Sequence, residues 1–331
     1  MQLDTSFVEA YARLAIRTGL NVQEGQEVVI RAYLEVAEFA AKCAAEAYRA
    51  GAKYVHVTYV DDSVTRARIE NARGNLDYMR TFSVDGVTQM VRDGAAVLSI
   101  RGGDPQALAG LDPERMQTVS RAAAQAGKEF RKLIQANHSN WSIISLPNPA
   151  WAARVFPDLP AEQALEQLVG LVSRAVRLDQ PDPVAAWKKH AGELQAIAKL
   201  LTHTAFDSFH YTGPGTDLRV GMPANQNWIA AGETARNGVQ SLPNVPTEEV
   251  FSAPDWRRVD GTVRASRDFV ISGTNVGVVD MRVEGGKIVE ATATRDSAML
   301  QTWLDLDDRS RYFGEIALVS QDSPLAQMGV V

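Results

Sequence analysis

Two adjacent carboxylates, Glu248 and Glu249, are the residues best suited to chemistry in this chain. They lie in PNVPTEEVFSAP (243–254), a segment that is otherwise apolar and bounded by prolines. Adjacent side chains of an extended chain point to opposite faces, so one glutamate can face inward while the other meets solvent. The segment therefore predicts different environments for the two carboxylates.

A third carboxylate, Glu315, follows Gly314 and opens the apolar run IALV. A carboxylate at the entrance to a buried strand is costly unless it is paired or coordinates a metal. An ion pair with Arg309 or Arg311 is the simpler interpretation of the residues alone, and metal binding is the alternative.

The other reactive residue types give weaker signals. None of the five histidines has the spacing of a known metal motif, although His210 stands just before the turn Gly213-Pro214-Gly215. Cys43, the single cysteine, lies in an Ala-rich helical pattern and is expected to be a small buried residue. No G-x-S-x-G nucleophile motif is present.

A nucleotide site is also poorly supported. The sequence contains no G-x-G-x-x-G after the first strand and no Walker A lysine. Gly102 and Gly103, in the RGGD loop, predict a tight turn rather than a phosphate cradle. We therefore predict no nucleotide-cofactor residues, although a nucleotide-binding module stays open as a third interpretation.

Two patterns of elements must position these groups. In the first half, short apolar runs alternate with long helical ones, and the predicted strands are Glu27–Ala32, Lys53–Val60, Ala96–Ile100 and Trp141–Leu146. A long helix is predicted over residues 113–137. This alternation predicts an α/β domain (1–182) with a parallel sheet flanked by helices. Short alternating segments after Pro183 predict a β-rich, antiparallel α+β domain (183–331).

Composition restricts the partners. The 331 residues carry a formal net charge of −6, which argues against nucleic acid or an anionic membrane surface. The N-terminal segment is an amphipathic helical pattern without the charge and apolar runs of a signal peptide. No run approaches the length of a transmembrane helix. The reducing cytoplasm is the expected compartment.

Four motifs in register resemble those of the M29 metallo-aminopeptidases, the thermophilic aminopeptidase T and aminopeptidase S type. They are Asp182–Trp187 (DPVAAW), His210–Leu218 (HYTGPGTDL), Pro246–Pro254 (PTEEVFSAP) and Tyr312–Val319 (YFGEIALV). The similarity runs along the whole chain in order. It implies removal of N-terminal amino acids from peptides by a water activated between two divalent ions, zinc or cobalt.

The resemblance also implies roles for particular residues. Glu249 matches the family's first glutamate ligand, and Glu315 matches the next, which bridges the two ions. Glu248 is a candidate for orienting a metal ligand, and His210 and Tyr211 are candidates for lining the site. The family forms homodimers, so a homodimer acting on peptides is expected here.

One feature departs from the family pattern. Family members supply two histidines, an aspartate and a tyrosine from a further C-terminal stretch, whereas no histidine follows His210 and the printed chain ends at Val331. We therefore expect a truncated chain with an incomplete metal site, little or no activity, and a general acid or base that cannot be assigned. The alternative is a non-catalytic dimeric scaffold or binding protein that retains the fold.

Overall fold

The computed structural model describes residues 3–271 and 274–329. It contains two compact units. One comprises Met1–His190 with Ala231–Thr247, and the other comprises Ala191–Ala230 with Glu248–Val331. The predicted division at residue 182 stays a prediction about domains, since each compact unit is built from separate stretches of the chain.

The elements of the described residues are numbered in chain order. The strands are β1 (Glu27–Tyr33), β2 (Tyr54–Val60), β3 (Ala96–Arg101), β4 (Trp141–Ser145), β5 (Ser208–Gly213), β6 (Thr216–Gly221), β7 (Glu233–Thr234), β8 (Gln240–Ser241), β9 (Asn244–Val245), β10 (Glu249–Ser252), β11 (Val259–Arg264), β12 (Phe269–Ile271), β13 (Thr274–Gly277), β14 (Val279–Glu284), β15 (Lys287–Ala293) and β16 (Ile316–Val319). The α-helices are α1 (Thr5–Leu14), α2 (Ala37–Arg49), α3 (Asp62–Asn71), α4 (Phe82–Arg92), α5 (Pro113–Ala126), α6 (Lys128–Gln135), α7 (Pro149–Val155), α8 (Ala161–Ala175), α9 (Pro183–Thr204), α10 (Ser297–Leu304) and α11 (Pro324–Gln327). A π-helical turn (Ala15–Leu20) extends α1, and a 3₁₀ turn (Leu34–Val36) precedes α2.

A five-stranded parallel sheet, in the order β2-β1-β3-β4-β9, forms the centre of the first unit. Val28, Val29 and Ile30 are fully buried in β1, as expected when helices cover both faces of a parallel sheet. The four predicted strands are confirmed to within one residue at each end. The predicted helix at 113–137 is two helices, because the chain turns at Gly127 between α5 and α6.

Apolar packing in the first unit involves the sheet and, separately, helices α1 and α2. On one face, Val29 and Val97 pack with Val87, Val91 and Phe130 from α4 and α6. Elsewhere in the unit the Tyr11 ring of α1 packs against Phe39 of α2, with ring centroids 5.5 Å apart. The buried Tyr11 hydroxyl donates to the Ser145 carbonyl at 3.1 Å, which ties α1 to the end of β4.

Gly102 and Gly103 are explained by close packing at the carboxyl end of the sheet. A Cβ on Gly103 would lie 2.5 Å from Tyr33 Cδ1, and a Cβ on Gly102 would collide with Val36 Cγ1. Both glycines therefore let the chain after β3 approach the end of β1. This close packing gives both glycines a structural role at the end of the sheet.

Gly102→Ala is expected to lower the free energy of unfolding by about 1–3 kcal/mol, the usual cost of overpacking. Urea denaturation followed by circular dichroism measures the change. Gly170→Ala is the matched control, because its Cβ would meet nothing within 4 Å on α8. Alanine there should be neutral or stabilise by up to about 1 kcal/mol. If Val36→Ala does not reduce the cost of Gly102→Ala in a double-mutant cycle, the proposed collision is wrong.

The second unit is built on antiparallel strands, as predicted. A five-stranded sheet has the order β15-β14-β11-β6-β5, and β10 pairs with β16 in a separate two-stranded sheet. Val259 and Val279 are almost fully buried in the larger sheet. Within the described residues, no helix combines the length and hydropathy that crossing a bilayer requires.

Candidate metal site

The ladder between β10 and β16 contains one predicted site residue, Glu249, and begins next to another, Glu315. Its register pairs Glu249 with Val319 and Ser252 with Ile316, and Glu315 directly precedes Ile316. Glu315 is four residues before Val319, so side-chain alternation puts it on the same face as Glu249 if the chain stays extended. Two glutamates that are far apart in sequence are thus brought to one small sheet.

The two carboxylates interact electrostatically. Desolvation by burial raises the pKa of Glu249, and the nearby charge of Glu315 raises it further. Glu249 is half-buried and Glu315 is exposed. Within residues 3–271 and 274–329, neither side chain makes a hydrogen bond or an ion pair.

Arg309 and Arg311, the arginines expected to pair with Glu315, contact other groups. Arg311 Nη2 lies 2.7 Å from Asp305 Oδ1 rather than beside Glu315. The Arg309 guanidinium lies over the Trp256 ring, 5.5 Å from its centroid. No arginine therefore neutralises Glu315 in the part of the chain that the structure describes.

A divalent cation fits this carboxylate pair. Two neighbouring carboxylates attract a cation, and carboxylate oxygens are ligands for zinc and other divalent ions. No group of three or more His, Cys, Asp or Glu side chains within the described residues could hold a metal ion. Glu249 and Glu315 fit as two members of a larger ligand set, because zinc usually takes four ligands and favours nitrogen or sulfur among them.

Glu248 is the buried member of the adjacent pair. Only 6% of its surface is exposed, whereas Glu249 is half-buried. The expectation that the two neighbours have different environments agrees with this difference. Glu248 is therefore suited to a structural role on the buried side of the chain, just before β10.

His210 and Tyr211 lie on β5, at the edge of the five-stranded sheet. The His210 ring nitrogen Nε2 is 2.6 Å from Asp217 Oδ1 across the β5–β6 hairpin, and both side chains are exposed. Burial raises the pKa of the half-buried Tyr211. No hydrogen bond or ion pair of the described residues joins His210 or Tyr211 to Glu249 or Glu315.

Other reactive side chains have structural surroundings. His190 Nε2 is 2.9 Å from the Thr247 carbonyl oxygen, and His138 Nε2 is 3.1 Å from that of Arg92. Cys43 is fully buried, and burial raises the pKa of its thiol, so it is an unreactive core residue.

Trp256, which the sequence did not single out, packs against the segment that precedes Glu315. Its ring makes an edge contact with Tyr312, with centroids 5.0 Å apart. Tyr312 precedes Glu315 by three residues, and Trp256 follows the β10 segment by four. The available signal was a tryptophan two residues after the last proline of the PTEEVFSAP motif.

Comparisons with known proteins identify the class. The family model described as thermophilic metalloprotease (M29) matches residues 5–331. The α/β unit, the antiparallel unit and this match define a metalloprotease, which is a hydrolase. The chain belongs to the M29 family.

Its relatives are named as aminopeptidases. Aminopeptidase T of Thermus aquaticus is 40% identical over 332 residues, which cover 100% of this chain and 81% of that protein. Aminopeptidase 2 of Geobacillus stearothermophilus is 34% identical over 328 residues, 98% of this chain and 79% of that protein. The solved structure of wild-type AmpT from Thermus thermophilus matches with a TM-score of 0.93 at 38% identity, covering 98% of this chain and 81% of that one. The predicted family, fold class and enzyme class are confirmed.

Proposed function

We propose that this protein removes N-terminal amino acids from peptides in a reaction that depends on two divalent ions, zinc or cobalt. The observation that carries the proposal is the pair Glu249 and Glu315, whose mutual repulsion no cationic side chain of the described residues relieves. The M29 match and the names of the relatives support the peptide substrate. They also argue against the non-catalytic scaffold.

In this proposal Glu249 and Glu315 would hold the divalent ions as two members of the ligand set. When bound, the ions lower the pKa of a water toward neutrality and polarise the scissile carbonyl. The buried Glu248 orients Glu249 through the backbone of β10. The general acid or base stays unassigned, because neither glutamate is free to move a proton while it serves as a ligand.

His210 and Tyr211 are proposed to line the path of the substrate. A tyrosine phenol is protonated at neutral pH, and burial raises the pKa of Tyr211 further, so Tyr211 can donate a hydrogen bond. The carboxylate of Asp217 fixes the orientation of the His210 ring. The proposal also includes a homodimer, which rests on the family resemblance, and a cytoplasmic location, which the lone buried Cys43 supports.

Hydrolysis of leucine p-nitroanilide tests the proposal. Because two carboxylates are a weak set for zinc, we expect slow turnover that rises with added zinc or cobalt and disappears with a chelator. Isothermal titration calorimetry with each metal measures binding in parallel. Chelator-resistant turnover would contradict the metal-dependent reaction. Tight binding of two ions per chain would contradict the expectation that Glu249 and Glu315 alone form a weak zinc site. The absence of both turnover and metal binding would favour the scaffold.

A further inference from the structure

A cleft of about 280 Å³ opens at the carboxyl end of the parallel sheet, in the first unit. The chain passes from β1 outward to β2 on one side and then to β3 on the other. Open α/β sheets bind ligands outside the carboxyl ends of their strands, near such a reversal, which here lies between β1 and β3. The cleft lies among the segments that follow β1 and β4, together with the start of α1.

The floor of the cleft is apolar. Val36, Phe39, Leu146 and Leu165 contribute to its lining, and each is at most 5% exposed. These side chains belong to the core of the unit, so the floor is built independently of any ligand. A volume just below that of drug-sized pockets suits a molecule with one short aliphatic chain.

The rim of the cleft is acidic. Glu35 and Glu38 line it and are exposed, and within the described residues neither makes an ion pair or a hydrogen bond through its carboxylate. Lys42, the cation of the lining, lies with its Nζ 3.1 Å from Glu9 Oε1.

We propose that this cleft binds a small molecule carrying an ammonium group next to an aliphatic side chain. The aliphatic chain packs on the floor, and the ammonium faces Glu35 and Glu38. A free amino acid and the N-terminus of a peptide share this chemistry, and Lys42 can pair with the carboxylate of the former. The site stands on residues of the first unit and does not depend on the proposed peptidase reaction.

Phosphorylated ligands do not suit the same cleft. Two uncompensated carboxylates on the rim repel a phosphate. The neighbouring glycines, Gly102 and Gly103, are needed for packing against Val36 and Tyr33. The nucleotide interpretation of this unit therefore receives no support from either feature.

Calorimetric titration of the whole chain, with a chelator to silence the metal site, tests the proposal. The probes are L-leucine, L-leucinamide, the tripeptide Leu-Gly-Gly, and 4-methylpentanoate, which has the side chain but no ammonium. We expect the first three to bind and 4-methylpentanoate to bind at least tenfold more weakly, on the order expected for two exposed ion pairs. Equal binding of 4-methylpentanoate would overturn the proposal.

Glutamine variants test whether the charges of Glu35 and Glu38 contribute to ligand binding. The double variant Glu35→Gln/Glu38→Gln should weaken leucinamide binding by about tenfold, because it removes the same two exposed ion pairs. Glu166→Gln is the matched control, because Glu166 is exposed on α8 outside the cleft. Wild-type affinity of the double variant for leucinamide would refute the role of the rim.

The variant Lys42→Met distinguishes a free amino acid from a peptide N-terminus as the ligand. If a free amino acid is the ligand, this variant loses affinity for leucine and keeps its affinity for leucinamide. If a peptide N-terminus is the ligand, Leu-Gly-Gly binds at least as tightly as leucine and Lys42→Met leaves both unchanged. Both results support the shared chemistry. Circular dichroism and thermal unfolding of each variant verify that the fold is retained.

Discussion

Replacing Glu249 or Glu315 with glutamine is expected to reduce zinc or cobalt affinity by at least about a hundredfold. Removal of residues that merely orient a ligand costs 10- to 100-fold, and loss of a ligand should cost at least as much. The amide keeps the size of the side chain but offers a neutral oxygen in place of an anionic one. Calorimetry and the metal content of protein dialysed against the ion measure the effect.

Stability separates a ligand from a structural residue in these variants. In the metal-free protein, Glu249 is desolvated and repelled by Glu315, so Glu249→Gln should raise the free energy of unfolding slightly while metal affinity falls. A structural carboxylate would lose stability when replaced. Asp308→Asn is the control, since Asp308 is exposed and lies in the same unit. Unchanged metal content in both glutamine variants would remove this pair from the metal site.

Trp187→Ala is expected to lower the free energy of unfolding by about 3–5 kcal/mol, the range for deleting a buried aromatic ring. Trp187 is 0% exposed, and its indole Nε1 donates to the Val176 carbonyl at 2.7 Å. The Arg177 guanidinium lies 4.6 Å from the ring centroid, and the His190 ring makes an edge contact at 5.5 Å. Alanine leaves a cavity and an unpaired buried carbonyl. Urea denaturation followed by circular dichroism gives the change.

Two further variants show how much of this loss of stability comes from the hydrogen bond and how much from the burial of the ring. Trp187→Phe keeps most of the ring volume and loses the hydrogen bond, so its cost should be about 1–3 kcal/mol. Trp303→Ala is the exposed counterpart, because Trp303 is 41% exposed, and it should cost about 1 kcal/mol or less. A cost below 1 kcal/mol for Trp187→Ala would contradict the burial of this residue in the native protein.

The sequence predicted the main elements well because their signals are local. Continuous apolar strands such as β1 and β3, bounded by turn residues, indicate a buried parallel sheet from composition alone. The break at Gly127 was missed, since the helical pattern continues on both sides of it. The two-residue strand β9 was also missed, because it is defined by pairing with β4 rather than by any pattern of its own.

For the candidate site too, the sequence indicated some features and only the tertiary structure decided others. The sequence by itself identified Glu249 and Glu315 as carboxylates in unusual apolar settings, and its motifs indicated the family. Only the tertiary structure decided that these two side chains share one small sheet and that Arg311 pairs with Asp305 instead of Glu315. In the structure His210 pairs with Asp217. Among the described residues, no hydrogen bond or ion pair joins His210 to Glu249 or Glu315. Residue type and local pattern can be read directly from the sequence. The partner of a charged side chain depends instead on the register of strands that are distant in sequence.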